Sequence, residues 1–302
     1  MYAAILGDRD MSRNLELAAP IAIGAGRQPR THRSTPAAVW FKHAGIMLDA
    51  HLRFLGMMSQ RLLRQNIFWQ PKTTDAELNR GLTIILPGIE ASGPFVEWIY
   101  DGLRDGHING AVKIFYWGIP FPEGYFPNLM HKRRNYSKAA QLAEIICRYQ
   151  SSYPGRPIHL VAHSGGAGPA VFAIEQLPPG VHIDGLALLG GAISRNYDLR
   201  PILKRTHKGI LNSYSPKDWF VLGLGTRIFG TSDRKFTESC GWAGFMPAHS
   251  DPADAELFAK LEQIAWTPEM INDCDYWGNH GTSSSRELVA KHIAPWISRV
   301  YG

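Results

Sequence analysis

Residues 158–168 read Ile-His-Leu-Val-Ala-His-Ser-Gly-Gly-Ala-Gly, and this stretch decides the fold. A short apolar run ends abruptly at Ser164, and small residues then continue into a segment suited to a helix. A strand that turns sharply into a helix needs small neighbours, because the residue at the turn takes strained backbone angles. The stretch therefore predicts a strand, a tight turn at Ser164 and a helix. The alternative is a glycine-rich turn that carries an inactive serine.

The pattern small-x-Ser-x-small is met by Ala162-His163-Ser164-Gly165-Gly166. It resembles the nucleophile elbow of the α/β-hydrolase family, with alanine in place of the usual first glycine. The resemblance covers residues 81–302 and implies an α/β fold with a mostly parallel central sheet and helices on both faces. It also implies that Ser164 is the nucleophile, with the next amide and the helix N-terminus facing the position where negative charge develops.

The flanking sequence alternates between apolar runs and helical patterns, as a parallel sheet with helical crossovers requires. Strands are expected at residues 82–86, 111–117, 158–162, 185–189 and 210–214, and helices at 94–103, 136–149, 165–177 and 285–300. Only two expected strands precede the elbow, whereas the family's elbow follows its fifth strand. A first hairpin is therefore missing or lies near residues 66–80.

A serine nucleophile needs a base, and the base needs an orienting carboxylate; the family order is nucleophile, acid, histidine. Asp218 lies 54 positions after Ser164 (218 − 164), in the loop that follows the expected strand 210–214. Ligands bind at this end of strands in such sheets, so Asp218 is the expected acid. Alternatively, Asp218 is a turn aspartate without a catalytic role. The acid would then be Asp184, which lies on the wrong edge of the sheet, or one of the later residues Asp251 and Asp273.

The expected base is His280, in Trp277-Gly278-Asn279-His280-Gly281 just before the last helix. This segment resembles the family's terminal loop, in which a histidine flanked by glycine precedes a C-terminal helix. Other histidines fit less well, because they lie inside a strand, the elbow, an insertion or the last helix: His159, His163, His249 and His292.

The oxyanion hole is expected to use backbone N–H groups of Ile89 and Gly165. Pro87-Gly88-Ile89 resembles the family's His-Gly-x segment, with proline replacing histidine. The amide of Glu90 is the alternative to that of Ile89, and a plain tight turn is the alternative to any role for this segment.

Two expected cap insertions, residues 119–135 and 219–267, are rich in aromatic side chains. Aromatic loops at this end of the sheet suit an apolar substrate pocket, or else simple packing. The basic run Lys132-Arg133-Arg134 is interpreted as a solvated loop rather than an anion clamp. The substrate is therefore predicted to be a small, neutral and largely apolar acyl compound.

Charge is concentrated in the first quarter of the chain. The formal net charge is +6; residues 1–80 hold 11 Lys/Arg against 6 Asp/Glu, and residues 81–302 hold 21 against 20. No basic face with interleaved aromatics follows, so nucleic acid is not an expected partner. The three cysteines form no C-x-x-C pair, so no metal site or cofactor is expected, although Cys240 and Cys274 could pair in an exported protein.

Residues 1–35 are predicted to have no stable structure of their own. A signal peptide is disfavoured because the apolar segment 1–7 is short and is followed by Asp8 and Asp10, so a cytoplasmic location is expected. Residues 36–80 are expected to form an amphipathic helical extension and a linker.

In this extension, arginines within residues 37–65 exclude a transmembrane span. The apolar stripe of this extension consists of Leu48, Leu52, Leu55 and Leu62, and the arginines are Arg53, Arg61 and Arg64. The stripe either packs on the main domain or contacts an anionic membrane surface or a partner.

Taken together, these patterns predict a serine hydrolase that cleaves a carboxylic ester through an acyl-enzyme on Ser164. An acyltransferase or a thioesterase would use the same residues. A protein of another class, a hydrolase-fold binding protein without catalytic activity, is the third possibility. The fold and its motifs name no particular substrate, because this fold hosts many chemistries.

Overall fold

Six parallel strands form the centre of the protein, as seen in a computed structural model that describes residues 41–42, 44–45, 48, 52, 68–120, 123, 125–246 and 253–299. The strands are Leu82–Leu86 (β1), Ala111–Ile114 (β2), Ile158–His163 (β3), Ile183–Leu189 (β4), Thr206–Tyr214 (β5) and Leu261–Ala265 (β6). Their order in the sheet is β2-β1-β3-β4-β5-β6. Because every neighbouring pair is parallel, the carboxyl ends of all six strands meet at one edge.

The central strands are continuous apolar runs because helices cover both faces of the sheet. All residues of β1 and β3 are buried, which is the pattern expected of a strand covered on both sides. Successive side chains point to opposite faces, so Ile84 and Leu86 enter one core and Ile85 enters the other. The predicted α/β class with a mostly parallel sheet is confirmed.

The helices lie between the strands and pack on both faces. They are Asp75–Leu78 (α1), Pro94–Asp105 (α2), Tyr125–Met130 (α3), Lys132–Ser152 (α4), Ala167–Glu175 (α5), Arg200–Lys204 (α6), Gly225–Phe229 (α7), Cys240–Ala243 (α8), Ala253–Phe258 (α9), Met270–Cys274 (α10), Arg286–Leu288 (α11) and Ala294–Ser298 (α12). One core lies under α4 and α5, and the other lies under α2 and the C-terminal helices. Short 3-10 turns cover Ser164–Gly166 and Gly281–Ser284, and π-helical turns cover Trp219–Leu224 and Val289–Ile293.

Three elements differ from the sequence-based expectations. Strand β6 lies inside the stretch expected to be a cap insertion and pairs with β5 at the edge of the sheet. The last helix is interrupted by the π-helical turn Val289–Ile293, which packs on Gly102 of α2: a Cβ there would lie 2.6 Å from Val289 Cβ. Within residues 68–80 the structure has helix α1 and no strand, so no first hairpin precedes β1 there.

The N-terminal predictions lie largely outside the described residues. Residues 1–35 are outside them entirely, and so are most of residues 37–65, including the predicted arginine face. The six described residues between 41 and 52 are helical, and Lys42 forms an ion pair with Asp275 of the main domain. Leu48 and Leu52, two members of the predicted stripe, are 60% and 59% exposed. Among the described helices, none is long and apolar enough to cross a membrane.

Candidate active site

The turn between β3 and α5 holds Ser164 in a strained conformation. Its φ is 51°, in the left-handed region that side chains other than glycine rarely adopt. Such outliers persist only where the surroundings enforce them. Here the Ser164 carbonyl accepts a hydrogen bond from the Ala192 N–H at 2.9 Å, which fixes the turn against the segment after β4.

Two glycines allow this turn to approach strand β1 closely. A Cβ on Gly166 would lie 2.4 Å from the Pro87 carbonyl oxygen and 2.7 Å from that of Leu86. A Cβ on Gly165 would lie 2.5 Å from Ile89 Cγ2. The small residues quoted from the sequence therefore bring the Ser164 turn against the loop that follows β1.

The structure places Ser164, His280 and Asp218 in one hydrogen-bonded chain. His280 Nε2 lies 2.8 Å from Ser164 Oγ, and His280 Nδ1 lies 2.6 Å from Asp218 Oδ2. Because a carboxylate only accepts, Nδ1 donates to Asp218, which leaves Nε2 to accept the serine proton. This is the arrangement by which a histidine removes a proton from a serine hydroxyl.

The histidine is held by its own loop. Ser283 Oγ donates to the His280 carbonyl at 2.7 Å, and Thr282 N–H donates to Asn279 Oδ1 at 3.0 Å. Both bonds belong to the tight turn Gly281–Ser284, which begins one residue after the ring. The backbone that carries the His280 ring is therefore held by hydrogen bonds within its own loop.

Burial and charge act in opposite directions on the His280 ring. Burial disfavours its charged form, but the buried Asp218 carboxylate more than offsets this, so the pKa of His280 is raised above its usual range. Asp218 is kept in place by its backbone, whose N–H donates to the Ser215 carbonyl at 3.1 Å. An imidazolium formed at His280 is thus stabilised by a nearby negative charge.

Two hydrogen bonds to carbonyl groups fix the backbone of the loop after β1. The Gly88 carbonyl accepts from the Ala91 N–H at 3.1 Å, and the Ile89 carbonyl accepts from Asn128 Nδ2 at 2.7 Å. Because the carbonyl and the N–H of a trans peptide point in opposite directions, this first bond leaves the Ile89 N–H pointing away from Ala91. Ile89 N lies 3.5 Å from the position of a Cβ on Gly165. The expected oxyanion donors, Ile89 and Gly165, are therefore neighbours, and their role stays a prediction.

The other candidate acids lie elsewhere or outside the described residues. Asp184 accepts from the Ile158 N–H at 2.7 Å, at the amino end of β3 and thus at the opposite edge of the sheet. Asp273 is exposed and pairs with Lys291 at 3.3 Å. Asp251 lies outside the described residues.

The other candidate histidines are also accounted for. His159 is buried in β3, and burial lowers its pKa to about 3. His292 lies in the π-helical turn Val289–Ile293, and its Nε2 is 3.7 Å from Asp273 Oδ2. His163 packs beside the nucleophile, as expected, with its ring 5.2 Å from that of His280. His249 lies outside the described residues.

Sequence reasoning missed a polar cluster under the site. Asn128 is buried and contacts both the Ile89 carbonyl and the backbone of Ile119. Arg134 donates to Asn128 Oδ1 at 3.0 Å and to the Trp117 carbonyl at 2.7 Å. The interpretation of Arg134 as part of a solvated loop is therefore wrong, because its guanidinium ties helix α4 to the loop after β2. No periodic signal marks such contacts between distant segments.

One group of side chains could in principle hold a metal ion in the described part of the chain. The ligand atoms of Asp273, Cys274 and His292 lie within 4.8 Å of one another. Burial raises the pKa of Cys274 to about 12, which makes its thiolate costly to form, and Lys291 already pairs with Asp273. A protonated thiol is a poor metal ligand. Cys240 and Cys274 are both free thiols, so the pairing considered from the sequence is not formed.

Comparison with known proteins finds only distant structural likeness. No family model and no curated protein matches this sequence. Arabidopsis thaliana SOBER1 matches with 15% identity and a TM-score of 0.40, over 73% of this chain and 98% of that one. A cutinase-like protein from Cryptococcus sp. matches with 14% identity and a TM-score of 0.37, over 72% of this chain and 92% of that one. Trichoderma reesei cutinase in complex with a C11Y4 phosphonate inhibitor matches with 13% identity and a TM-score of 0.37, over 87% and 90%.

Likenesses this distant carry no argument about what the protein does. Strand β3 lies inside a parallel sheet, between β1 and β4, and its carboxyl end turns into helix α5 at a serine with positive φ. This strand, tight turn and helix are the arrangement that residues 158–168 predict, in a parallel sheet of the expected α/β class.

Proposed function

We propose that this protein is a serine hydrolase that cleaves a carboxylic ester through an acyl-enzyme on Ser164. The observation that carries the proposal is the chain of two short hydrogen bonds from Asp218 through His280 to Ser164. A serine hydroxyl is a weak nucleophile at neutral pH and becomes reactive when an oriented base can take its proton. A serine with only a structural role has no need of a histidine and a buried carboxylate aligned behind it.

In the proposed reaction, Ser164 Oγ bonds to the ester carbonyl carbon while its proton passes to His280 Nε2. The carbonyl electrons move to the oxygen, which the N–H groups of Ile89 and Gly165 then bind, each worth about 3 kcal/mol in the transition state. When the adduct collapses, the carbon–oxygen bond to the alcohol breaks and His280 returns its proton to the leaving oxygen. Water then attacks the acyl-enzyme in the same manner and restores the Ser164 hydroxyl.

Apolar side chains near the site favour a neutral, apolar acyl group. Trp219 directly follows Asp218 and is 59% exposed, and Val221 on the same π-helical turn is also exposed. Exposed apolar side chains this close in sequence to the proposed acid suit an apolar ligand. Arg134, which shares Asn128 with the Ile89 carbonyl, is engaged with Asn128 and Trp117 and offers no clamp for an anionic substrate.

The test is labelling by a fluorophosphonate, which reacts only with an activated serine, followed by an ester panel graded by acyl length. Wild-type protein is expected to be labelled and to hydrolyse neutral esters, and Ser164→Ala to do neither. Ser151→Ala is the matched control, since Ser151 is an exposed serine on α4 whose hydroxyl donates to the Cys147 carbonyl. Absence of labelling in the wild type would favour the binding-protein alternative.

Acyl transfer is distinguished by product analysis. If an added alcohol or amine acceptor captured the acyl group at low concentration in preference to water, the transferase alternative would replace hydrolysis. A matched thioester outperforming the oxygen ester would favour the thioesterase. A tenfold preference for a charged acyl donor over a matched neutral ester would refute the apolar substrate.

A further inference from the structure

A second carboxylate lies beside the proposed triad and has no part in the mechanism above. Glu90, in the loop after β1, accepts a hydrogen bond from the Gly88 N–H at 3.1 Å through Oε1. The same oxygen lies 3.7 Å from His163 Nδ1, beyond hydrogen-bond distance and within reach of an ion pair. The Glu90 side chain is 21% exposed, whereas that of His163 is only 1% exposed.

His163 connects this carboxylate to the proposed base. Its ring lies 5.4 Å from that of Phe95 and 5.2 Å from that of His280, tilted by 34° against the latter. Within the described part of the chain, neither ring nitrogen of His163 has a hydrogen-bond partner, although both are buried. Burying an imidazole without hydrogen-bond partners lowers the stability of the fold, so the position of His163 beside Glu90 and His280 calls for an explanation.

We propose that Glu90 is a positioning residue whose negative charge stabilises protonated His280 across the His163 ring while its Oε1 holds the Gly88–Ile89 segment in place. The inference rests on the proposed function, because the stability of protonated His280 affects turnover only if His280 takes the Ser164 proton. In this arrangement two carboxylates support the imidazolium: Asp218 by a direct hydrogen bond and Glu90 through space.

The charge states agree with this arrangement. Burial raises the pKa of Glu90, but nearby His163 first, then a backbone hydrogen bond and His280, more than offset this and leave it lowered, so the side chain is ionised at neutral pH. Burial lowers the pKa of His280, and Asp218 first and Glu90 second raise it above the usual range. The titratable groups that face His280 are thus Asp218 from the loop after β5, Glu90 from the loop after β1, and His163 with Ser164 from the elbow.

A negative charge at Glu90 could also slow the reaction, and this opposite effect gives the experiment two distinct outcomes. Glu90 follows Ile89, so its charge could repel the developing oxyanion and slow the reaction. The observed contacts direct the carboxylate to the Gly88 N–H and His163, away from this role. Removal of the charge therefore slows the reaction if the proposal is right and accelerates it if repulsion dominates.

The experiment compares Glu90→Gln with the wild type, measuring the rate of fluorophosphonate labelling of Ser164 and kcat/KM as functions of pH. Glutamine keeps an acceptor for the Gly88 N–H and removes the charge. A negative charge favours protonated imidazole, so its loss is expected to move the acid limb of both profiles to lower pH and to reduce the plateau rate roughly three- to tenfold. Glu262→Gln, on edge strand β6, is the matched control and is expected to leave both profiles unchanged.

Glu90→Ala separates the two roles, since it removes both the charge and the acceptor. It is expected to show the same displacement of the acid limb with a larger loss of plateau rate. Should Glu90→Gln not yield folded protein by thermal unfolding, Glu90→Asp serves instead: its charge lies one methylene farther from His163, and the acid limb is expected to move in the same direction by less.

Two outcomes overturn the inference alone: a Glu90→Gln profile identical to that of the wild type, or one with a faster plateau. A merely structural role would give normal Glu90→Gln and defective Glu90→Ala with an unmoved acid limb, and that result also refutes it. A wild-type protein that is never labelled would instead refute the proposed function, so the two failures are distinguishable.

Discussion

Replacing Gly166 with alanine is expected to push the elbow away from strand β1. The new Cβ would lie 2.4 Å from the Pro87 carbonyl oxygen and 2.7 Å from that of Leu86. Both obstacles are backbone atoms at the end of a central strand, so neither can rotate away. The φ of Gly166 is −63°, which alanine adopts readily, and the effect is therefore purely steric.

The magnitude follows from the distances. An ordinary contact begins near 3.4 Å, so the elbow and the Pro87 carbonyl must separate by about 1 Å. Overpacking of this kind costs typically 1–3 kcal/mol of the free energy of unfolding. The same displacement moves Ile89, two residues after Pro87, relative to Ser164, and a misplacement of about 1 Å in reacting groups costs on the order of 10²-fold in rate.

Gly165→Ala is the matched comparison, because its Cβ would meet a side chain instead. The obstacle is Ile89 Cγ2 at 2.5 Å, while Ile89 N at 3.5 Å is at ordinary contact distance. Rotation of the isoleucine relieves the clash, so we expect a loss of stability below about 1 kcal/mol. Combining it with Ile89→Ala removes Cγ2 and should restore kcat/KM toward the value of Ile89→Ala alone.

Thermal unfolding and kcat/KM on a soluble ester measure these effects. Gly166→Ala is expected to lower Tm by about 2–4 °C for each kcal/mol lost. The reasoning is refuted if Gly166→Ala unfolds and reacts like the wild type. It is also refuted if the two alanine variants are equally impaired and Ile89→Ala rescues neither.

Three further predictions concern the triad, pH and the N-terminal extension. Asp218→Asn is expected to reduce kcat by about 10⁴-fold with little change in fold, since the His280 tautomer is no longer fixed; near-normal activity would contradict the role of Asp218 and turn attention to Asp251. Because the pKa of His280 is raised and the neutral ring is the base, kcat/KM is expected to fall with decreasing pH along a limb centred above pH 6.5, and a limb below 6.5 would contradict the assignment. Stability carried by the same group has the opposite sign: it is present at low pH and is lost as pH rises through the folded-state pKa. Deletion of residues 1–65 is expected to abolish salt-sensitive binding to anionic vesicles and to spare hydrolysis of a short-chain ester; a full-length protein that ignores such vesicles at low salt would exclude membrane contact.

The sequence predicts best those parts whose physical constraints are local. Strands β1 and β3 are recognisable because burial on both faces requires unbroken apolar runs. The turn at Ser164 is recognisable because only small residues fit beside β1. Asp218 and His280 are predictable from their positions in loops in the family's order, and the structure brings both to Ser164.

The remaining features depend on neighbours that are distant in sequence. Strand β6 reads Leu-Glu-Gln-Ile-Ala and is partly exposed at the sheet edge, so its pattern does not differ from that of a loop. Arg134 looks solvated beside Lys132 and Arg133, and only the fold brings Trp117 and Asn128 to its guanidinium. The sequence indicates a role only for the Glu90 amide, because nothing in it places the Glu90 carboxylate next to His163.

The hydrogen-bonded chain of Asp218, His280 and Ser164 also bears on how the protein reaches its native state. His280 lies 116 residues from Ser164 and 62 from Asp218 along the chain, and every sheet pairing between them is parallel. Long-range parallel pairing is slow to form, because loop closure must precede the contacts that reward it. The site is therefore assembled only when the segments from β1 to the loop before the last helix are all in place. Ser164 consequently becomes reactive only when folding is complete. A chain arrested with a native-like β1–β3 unit would not react with a fluorophosphonate.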